Sequence, residues 1–163
     1  MYGDPVPIDK CKNIAMIAHD NRKADLLDWA RYNQKTLSKH NLYATGTTGG
    51  ILSRELQLDI ELLRSGPLGG DLQVGAKITE SEIDFVIFFW DPLESQPHDV
   101  DVKALLRIAV VYNVPVACNR STADFLISSP LMDTAYERQL INYEERVSAQ
   151  RKIFALPPEK DAG

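Results

Sequence analysis

Cysteine is almost absent from this chain. Its 163 residues hold two, Cys11 and Cys118, which match no metal-ligand spacing. A disulfide-stapled framework is thereby excluded. Two readings remain: one bridge formed in an oxidising compartment, or two thiols buried as free cysteines usually are. Histidine is also sparse. His19, His40 and His98 show no H-x-x-x-H or H-E-x-x-H spacing, so no metal site is expected, and His40 reads as a surface residue at a helix end. A basic excess is missing: 18 Lys and Arg stand against 23 Asp and Glu, for a net charge of −5. Sequence-independent binding to nucleic acid requires many phosphates to be neutralised, and this balance argues against it. An anionic ligand must then be caught by local donors, because the global field repels it. No long apolar run occurs. The longest, Phe85 to Trp90, is far too short to cross a bilayer. The opening Met-Tyr-Gly-Asp-Pro-Val-Pro lacks the charged start and apolar stretch of a secretory signal, so a cytoplasmic protein with no membrane partner is expected. Neither the P-loop pattern, nor G-x-G-x-x-G, nor a G-x-S-x-G elbow is present.

What is there is an ordinary globular composition, 44% hydrophobic and 25% charged. Short apolar runs alternate with helix-length amphipathic segments, the pattern of a parallel sheet covered by helices. The expected fold is α/β: a doubly wound, mainly parallel sheet with helices on both faces, in three layers. Strands are predicted at Ile14–Ala18, Leu42–Ala44, Leu58–Leu63, Ile83–Trp90 and Val114–Ala117. The near-continuous apolar character of Ile83–Trp90 suits a central strand. Helices are predicted after Asp20 or Asn21 as cap, over Ile51–Leu56, through Val74 and Ile78, over Val102–Tyr112 and over Thr122–Ser128. A charged helix is predicted over Tyr136–Phe154, ended by Pro157-Pro158. One catalytic domain is expected over residues 1–163, with a core of about 12–130, a C-terminal helix of about 136–154 and a polar tail of 155–163.

Each unusual polar cluster follows a predicted strand: His19-Asp20, Thr45 to Gly50, Ser65 to Asp71, Asp91 to Asp101, and Asn119 to Ser121. In an open parallel sheet these positions share the carboxyl edge, where ligands bind at the switch in strand order. Thr45-Gly46-Thr47-Thr48-Gly49-Gly50 has the makings of an anion cradle, with hydroxyl donors and a helix N-terminus beyond; a tight turn with capping threonines would look the same. Asp71 closes Ser65-Gly66-Pro67-Leu68-Gly69-Gly70-Asp71, either as a helix cap or as a general base whose pKa burial raises. His98 reads as a loop surface residue or as a neutral imidazole that polarises a carbonyl. His19 and Asp20 share that candidacy by position. Lys23 is either a phosphate ligand or a solvated helix lysine.

Together these segments closely resemble the methylglyoxal synthase family. The resemblance rests on Ala18-His19-Asp20 with Lys23, Tyr43 to Gly49, Ser65 to Asp71, Phe88-Phe89-Trp90-Asp91-Pro92, Pro97 to Arg107, and Ala123-Asp124-Phe125. It spans about Asn13 to Ser129. The resemblance implies a carbon–oxygen lyase that converts dihydroxyacetone phosphate to methylglyoxal and inorganic phosphate with no metal or organic cofactor. It implies Asp71 as the base, and His98 on the carbonyl with His19 nearby. Lys23, Thr45, Gly46, Thr47, Thr48, Ser65 and Gly66 would then hold the substrate, and Asp101, Asp91 and Asp20 would tune protonation and orientation. It further implies a homohexamer regulated by phosphate, in which a C-terminal arginine, Arg146 or Arg151, reaches a neighbouring site. Two other readings stay open: an effector-binding module of the same fold, and an isomerase of triose phosphates.

Overall fold

The fold is described from a computed structural model over residues 2–154, with the side chains of Glu145 and of residues 151–154 left aside. In chain order its elements are β1 (Val6–Ile8), β2 (Asn13–Ala18), a 3-10 turn at Asp20–Arg22, α1 (Lys23–Tyr32), α2 (Gln34–Leu37), β3 (Asn41–Thr45), α3 (Gly46–Leu56) and β4 (Ile60–Leu63). There follow a 3-10 turn at Gly66–Leu68, α4 (Gly70–Thr79), β5 (Phe85–Phe89), α5 (Asp99–Val111), β6 (Val116–Ala117), α6 (Arg120–Ile127), a 3-10 turn at Pro130–Asp133, β7 (Tyr136–Arg138) and α7 (Glu144–Phe154).

Five strands form one parallel sheet in the order β4-β3-β2-β5-β6. The period-2 alternation of side chains explains why helices cover both faces. Ile14, Met16 and Ala18 of β2, with Phe85, Ile87 and Phe89 of β5, pack against Leu26, Trp29 and Ala30 of α1 and Leu52 and Leu56 of α3. Ala15 and Ile17, with Val86 and Phe88, point the other way onto Val74 and Ile78 of α4 and Val102, Leu105 and Ala109 of α5. With every residue of β5 buried, the strand has no solvent face, so its sequence shows no polar alternation.

The strand order reverses between β2 and β5, so the first crossovers run outward from β2 in one direction and the last in the other. The loops that leave the carboxyl ends of β2 and β5 therefore diverge and open a crevice between them. Among the described residues no helix is long and apolar enough to cross a membrane.

Four expectations are corrected. Tyr136–Phe154 is not one helix: Tyr136–Arg138 pairs antiparallel with Val6–Ile8, and helix begins only at Glu144. That strand is set by a partner at the other end of the chain, which local periodicity does not register. Asp20 and Asn21 cap no helix; their side chains bond Lys23 and Asp91 and Glu94. His40 is buried rather than superficial, its Nδ1 accepting the Lys12 N–H at 3.1 Å. The thiols are free, but they are not a buried pair: Cys11 is exposed in the turn before β2 and Cys118 is half-buried. The expected tail 155–163 and the Arg151 side chain lie outside the described residues.

Candidate active site

The crevice holds a cavity of about 210 Å³ lined by Ile17, Ala18, His19, Asp20, Lys23, Thr45, Thr47, Thr48, Ser65, Gly66, Pro67, Asp71, Gln96 and His98. Four separate loops, those after β2, β3, β4 and β5, thus meet as the parallel topology requires.

Asp71 is the second residue of α4 and its side chain is 0% exposed. A carboxylate in the first turn of a helix is ordinarily stabilised by the helix dipole. Here the loss of water outweighs that and pushes the Asp71 pKa up, with the nearby Asp101 charge adding to the shift and His98 opposing it. Neither carboxylate oxygen finds a hydrogen-bond partner among the described residues. His98 Nε2 stands 3.4 Å from Oδ2, close enough to feel the charge while the lone pairs stay available. A buried, unpartnered acid facing a cavity is the arrangement that a proton abstractor needs.

His19 is held differently. The Asp91 N–H donates to its Nδ1 at 3.1 Å, so Nδ1 is the unprotonated nitrogen. Burial, then the neighbouring His98, keep its pKa below the usual histidine range. The neutral ring must carry its proton on Nε2, which is buried without a partner on a residue that lines the cavity. His19 is consequently a fixed donor. The two imidazoles meet edge to face, with centroids 5.7 Å apart.

The opposite wall is the cradle. Thr45 ends β3 in an extended conformation and its side chain caps nothing. The hydroxyls of Thr45, Thr47 and Ser65 and the N–H groups of α3 that follow Gly46 are therefore available to an anion, with the positive end of the helix behind them. Thr48 Oγ lies 3.5 Å from the Ala18 carbonyl. Lys23 brings the cationic charge, tethered by Asp20 and by the Ala18 carbonyl at 3.3 Å. Ser65 begins a tight turn in which Leu68 and Gly70 both donate to its carbonyl at 3.0 Å. A Cβ on Gly66 would come within 2.6 Å of His98 Nε2. The missing side chain there is what lets the imidazole lie against the turn.

Ten of the residues singled out from the sequence share this cavity. Three do not line it. Gly46 instead donates its N–H to the Arg64 carbonyl at 3.2 Å, and a Cβ there would come within 3.0 Å of the Ser65 backbone. It lets the β3 and β4 turns pack together. Asp91 acts through its backbone on His19, while its side chain accepts from Asn21 at 3.0 Å and from the Leu93 N–H at 3.0 Å. Asp101, half-buried on α5, acts through its charge on Asp71. Sequence reasoning misses Gln96, whose only sequence signal is its place two residues before His98, and Asn21, which reads there as a helix cap. Among the described residues no three His, Cys, Asp or Glu side chains are grouped to hold a metal.

A doubly wound sheet that gathers hydroxyls, a lysine, a buried carboxylate and two imidazoles around one cavity at its switch point defines the class, an α/β protein with a polar site of acid–base groups. Comparison with known proteins then specifies the family. A family profile described as an MGS-like domain matches residues 25–118. The chain is 58% identical to a methylglyoxal synthase of Leptospira interrogans over 87% of this chain and 96% of that one. It is 57% identical to a methylglyoxal synthase of Coxiella burnetii over 82% and 93%. The crystal structure of methylglyoxal synthase from Elizabethkingia anophelis superposes with a TM-score of 0.85 at 43% identity, covering 98% of this chain and 100% of that one. The chain belongs to the methylglyoxal synthase family.

Proposed function

We infer that this chain is a methylglyoxal synthase, a lyase that converts dihydroxyacetone phosphate to methylglyoxal and inorganic phosphate. The observation that carries the reading is Asp71, a desolvated carboxylate with both oxygens unpartnered, on the same cavity as the Thr45–Thr48 cradle.

In this reading the cradle and Lys23 take the phosphate. Asp71 removes a proton from the hydroxymethyl carbon; its raised pKa makes it a stronger base than a solvated carboxylate. The carbonyl oxygen gains charge as the enediol(ate) forms and is met by donors already in place, the His19 Nε2–H and His98. The enediol hydroxyl then loses its proton and the π electrons shift toward the phosphate-bearing carbon. The C–O bond breaks and phosphate departs with the bonding pair. Protonation of the resulting enolate at its terminal carbon completes methylglyoxal. Elimination requires that C–O bond to stand roughly perpendicular to the enediolate plane. Gripping the phosphate from the β3 and β4 turns, out of line with the imidazoles after β2 and β5, suits that geometry and disfavours simple isomerisation.

The test is incubation with dihydroxyacetone phosphate in the presence of chelator, with methylglyoxal and free phosphate both measured. Equal amounts of the two are expected. Glyceraldehyde phosphate without phosphate release would identify an isomerase, and no turnover at all would identify a binding module. We also read the chain as a cytoplasmic homo-oligomer, hexameric by family resemblance. Leu68, Leu72, Leu93 and Val100, large apolar side chains left exposed on the segments that build the site, support a second copy nearby. Sedimentation would check it.

A further inference from the structure

The cavity wall contains one primary amide, and neither the anion cradle nor the acid–base machinery uses it. Gln96 lies on the loop between β5 and α5, lines the cavity with Asp71 and His98, and is half-buried. No hydrogen-bond partner for its carboxamide is found among the described residues. Its backbone, by contrast, is held from both sides: the Gln96 N–H donates to Asp99 Oδ2 at 3.2 Å, and the Asp99 N–H donates to the Gln96 carbonyl at 3.2 Å. Pro97 follows and narrows the backbone choices of Gln96 further. The same loop is tied at its start, where Asn21 bridges Asp91 and Glu94 and the Asp91 N–H holds His19. An amide on a loop secured at both ends, facing a ligand cavity without a partner, is placed before any ligand arrives.

Its position decides which part of the ligand it meets. The threonine cradle and the Ser65 turn follow β3 and β4. Gln96 follows β5, on the other side of β2 in the sheet order. The phosphate is matched by the hydroxyls, the helix N-terminus and Lys23, and the carbonyl by the two imidazoles. One polar group of the substrate is then unassigned: the hydroxyl on the carbon that loses its proton to Asp71. That hydroxyl must itself lose its proton for phosphate to leave, so its orientation bears on the outcome.

We propose that Gln96 reads the hydroxyl end of the substrate, its Oε1 accepting the substrate O–H, and is a specificity-determining residue of this site. The proposal rests on the lyase reading above. An uncharged amide suits this role because it accepts from a hydroxyl without competing with Asp71 for a proton and without repelling the phosphate.

The experiment compares the parent with Gln96→Ala and Gln96→Glu, measuring kcat and KM for dihydroxyacetone phosphate, the inhibition constant of inorganic phosphate and the melting temperature. Removing one uncharged hydrogen bond predicts a KM for Gln96→Ala raised by about tenfold, with phosphate inhibition unchanged within about twofold and melting retained. Gln96→Glu keeps the acceptor but brings a negative charge, so it should weaken phosphate and substrate together. An unaltered KM in Gln96→Ala overturns the proposal. So does an equal weakening of phosphate and substrate in Gln96→Ala, which would assign the amide to the phosphate instead. Failure of the parent itself to form methylglyoxal would refute the lyase reading, a separate outcome. If Gln96→Ala fails to fold, Gln96→Leu, which keeps the bulk and removes the acceptor, must show the same split.

Discussion

Asp71 and Gly66 place opposing demands on the protein at the scale of single side chains. The folded-state pKa of Asp71 is raised above its ordinary 3.8 by burial. As pH climbs from that value, the unfolded chain releases a proton that the folded chain keeps. Stability from this site therefore falls with rising pH through that window, so the buried carboxyl is a cost of function. Asp71→Asn should lower kcat by about three to four powers of ten, as expected for loss of an essential base. It should also resist urea better than the parent at pH 7, by a margin that shrinks at pH 4. Paired unfolding curves at the two pH values would show it. Gly66→Ala makes the complementary case. Its new methyl would displace His98 by a fraction of the ring's width while the turn and fold persist. Misplacing one group by about 1 Å can cost around 100-fold in rate, so kcat should drop by roughly that factor with the melting temperature nearly unchanged.

At the scale of elements, the loop from β5 to α5 delivers His98 and Gln96, and Asn21 ties it down from the turn after β2. Asn21 Nδ2 donates to Asp91, whose own N–H fixes the His19 tautomer. Asn21→Ala should cost about 1 kcal/mol in denaturant unfolding, a typical value for a lost hydrogen bond. It should also lower kcat, because His19 then loses its fixed donor orientation; a stability loss with kcat intact would make the bridge merely structural. These elements were legible to different degrees in the sequence. The five parallel strands and the helices between them could be read because each buries a periodic apolar face: Trp29 and Ala30 of α1, and the unbroken run of β5. The convergence of four loops could be read from topology alone, since each polar cluster follows a strand. What could not be read depends on distant partners. β1 and β7 exist because the two ends of the chain pair, and the burial of His40 depends on the Lys12 N–H across the sheet edge. Gly46 reads in the sequence as one unit with its threonine neighbours; only its hydrogen bond to the Arg64 carbonyl on the neighbouring turn shows that its N–H is already used.

Across the whole molecule, buried ionisable groups sit at both ends of the sheet. At the carboxyl edge are His19 and Asp71. At the amino edge are His40, on Lys12, and Asp84, whose Oδ2 accepts the Asn13 N–H at 2.7 Å. Burial lowers the pKa of both histidines below 6.5 and raises that of both acids above 3.8. The signs oppose one another. As pH falls below 6.5 the unfolded chain takes up protons that His19 and His40 refuse in the fold, so each histidine weakens the folded state toward acid. The two acids do the reverse over a window that begins near 3.8. A single stability profile would blur these contributions, but differences between variants separate them. His19→Gln and His40→Gln should each flatten the acid-side loss of stability below pH 6.5, by up to about one proton's worth of slope, or roughly 1.4 kcal/mol per pH unit. The two sites lie at opposite edges with no shared partner, so the double variant should show the sum within about 0.5 kcal/mol. Urea unfolding of the four proteins from pH 5 to 7.5 measures all of it. Only the His19 variant should also lose turnover, since His40 touches nothing in the cavity; turnover lost in both would mean that the amino edge is coupled to the chemistry through β2.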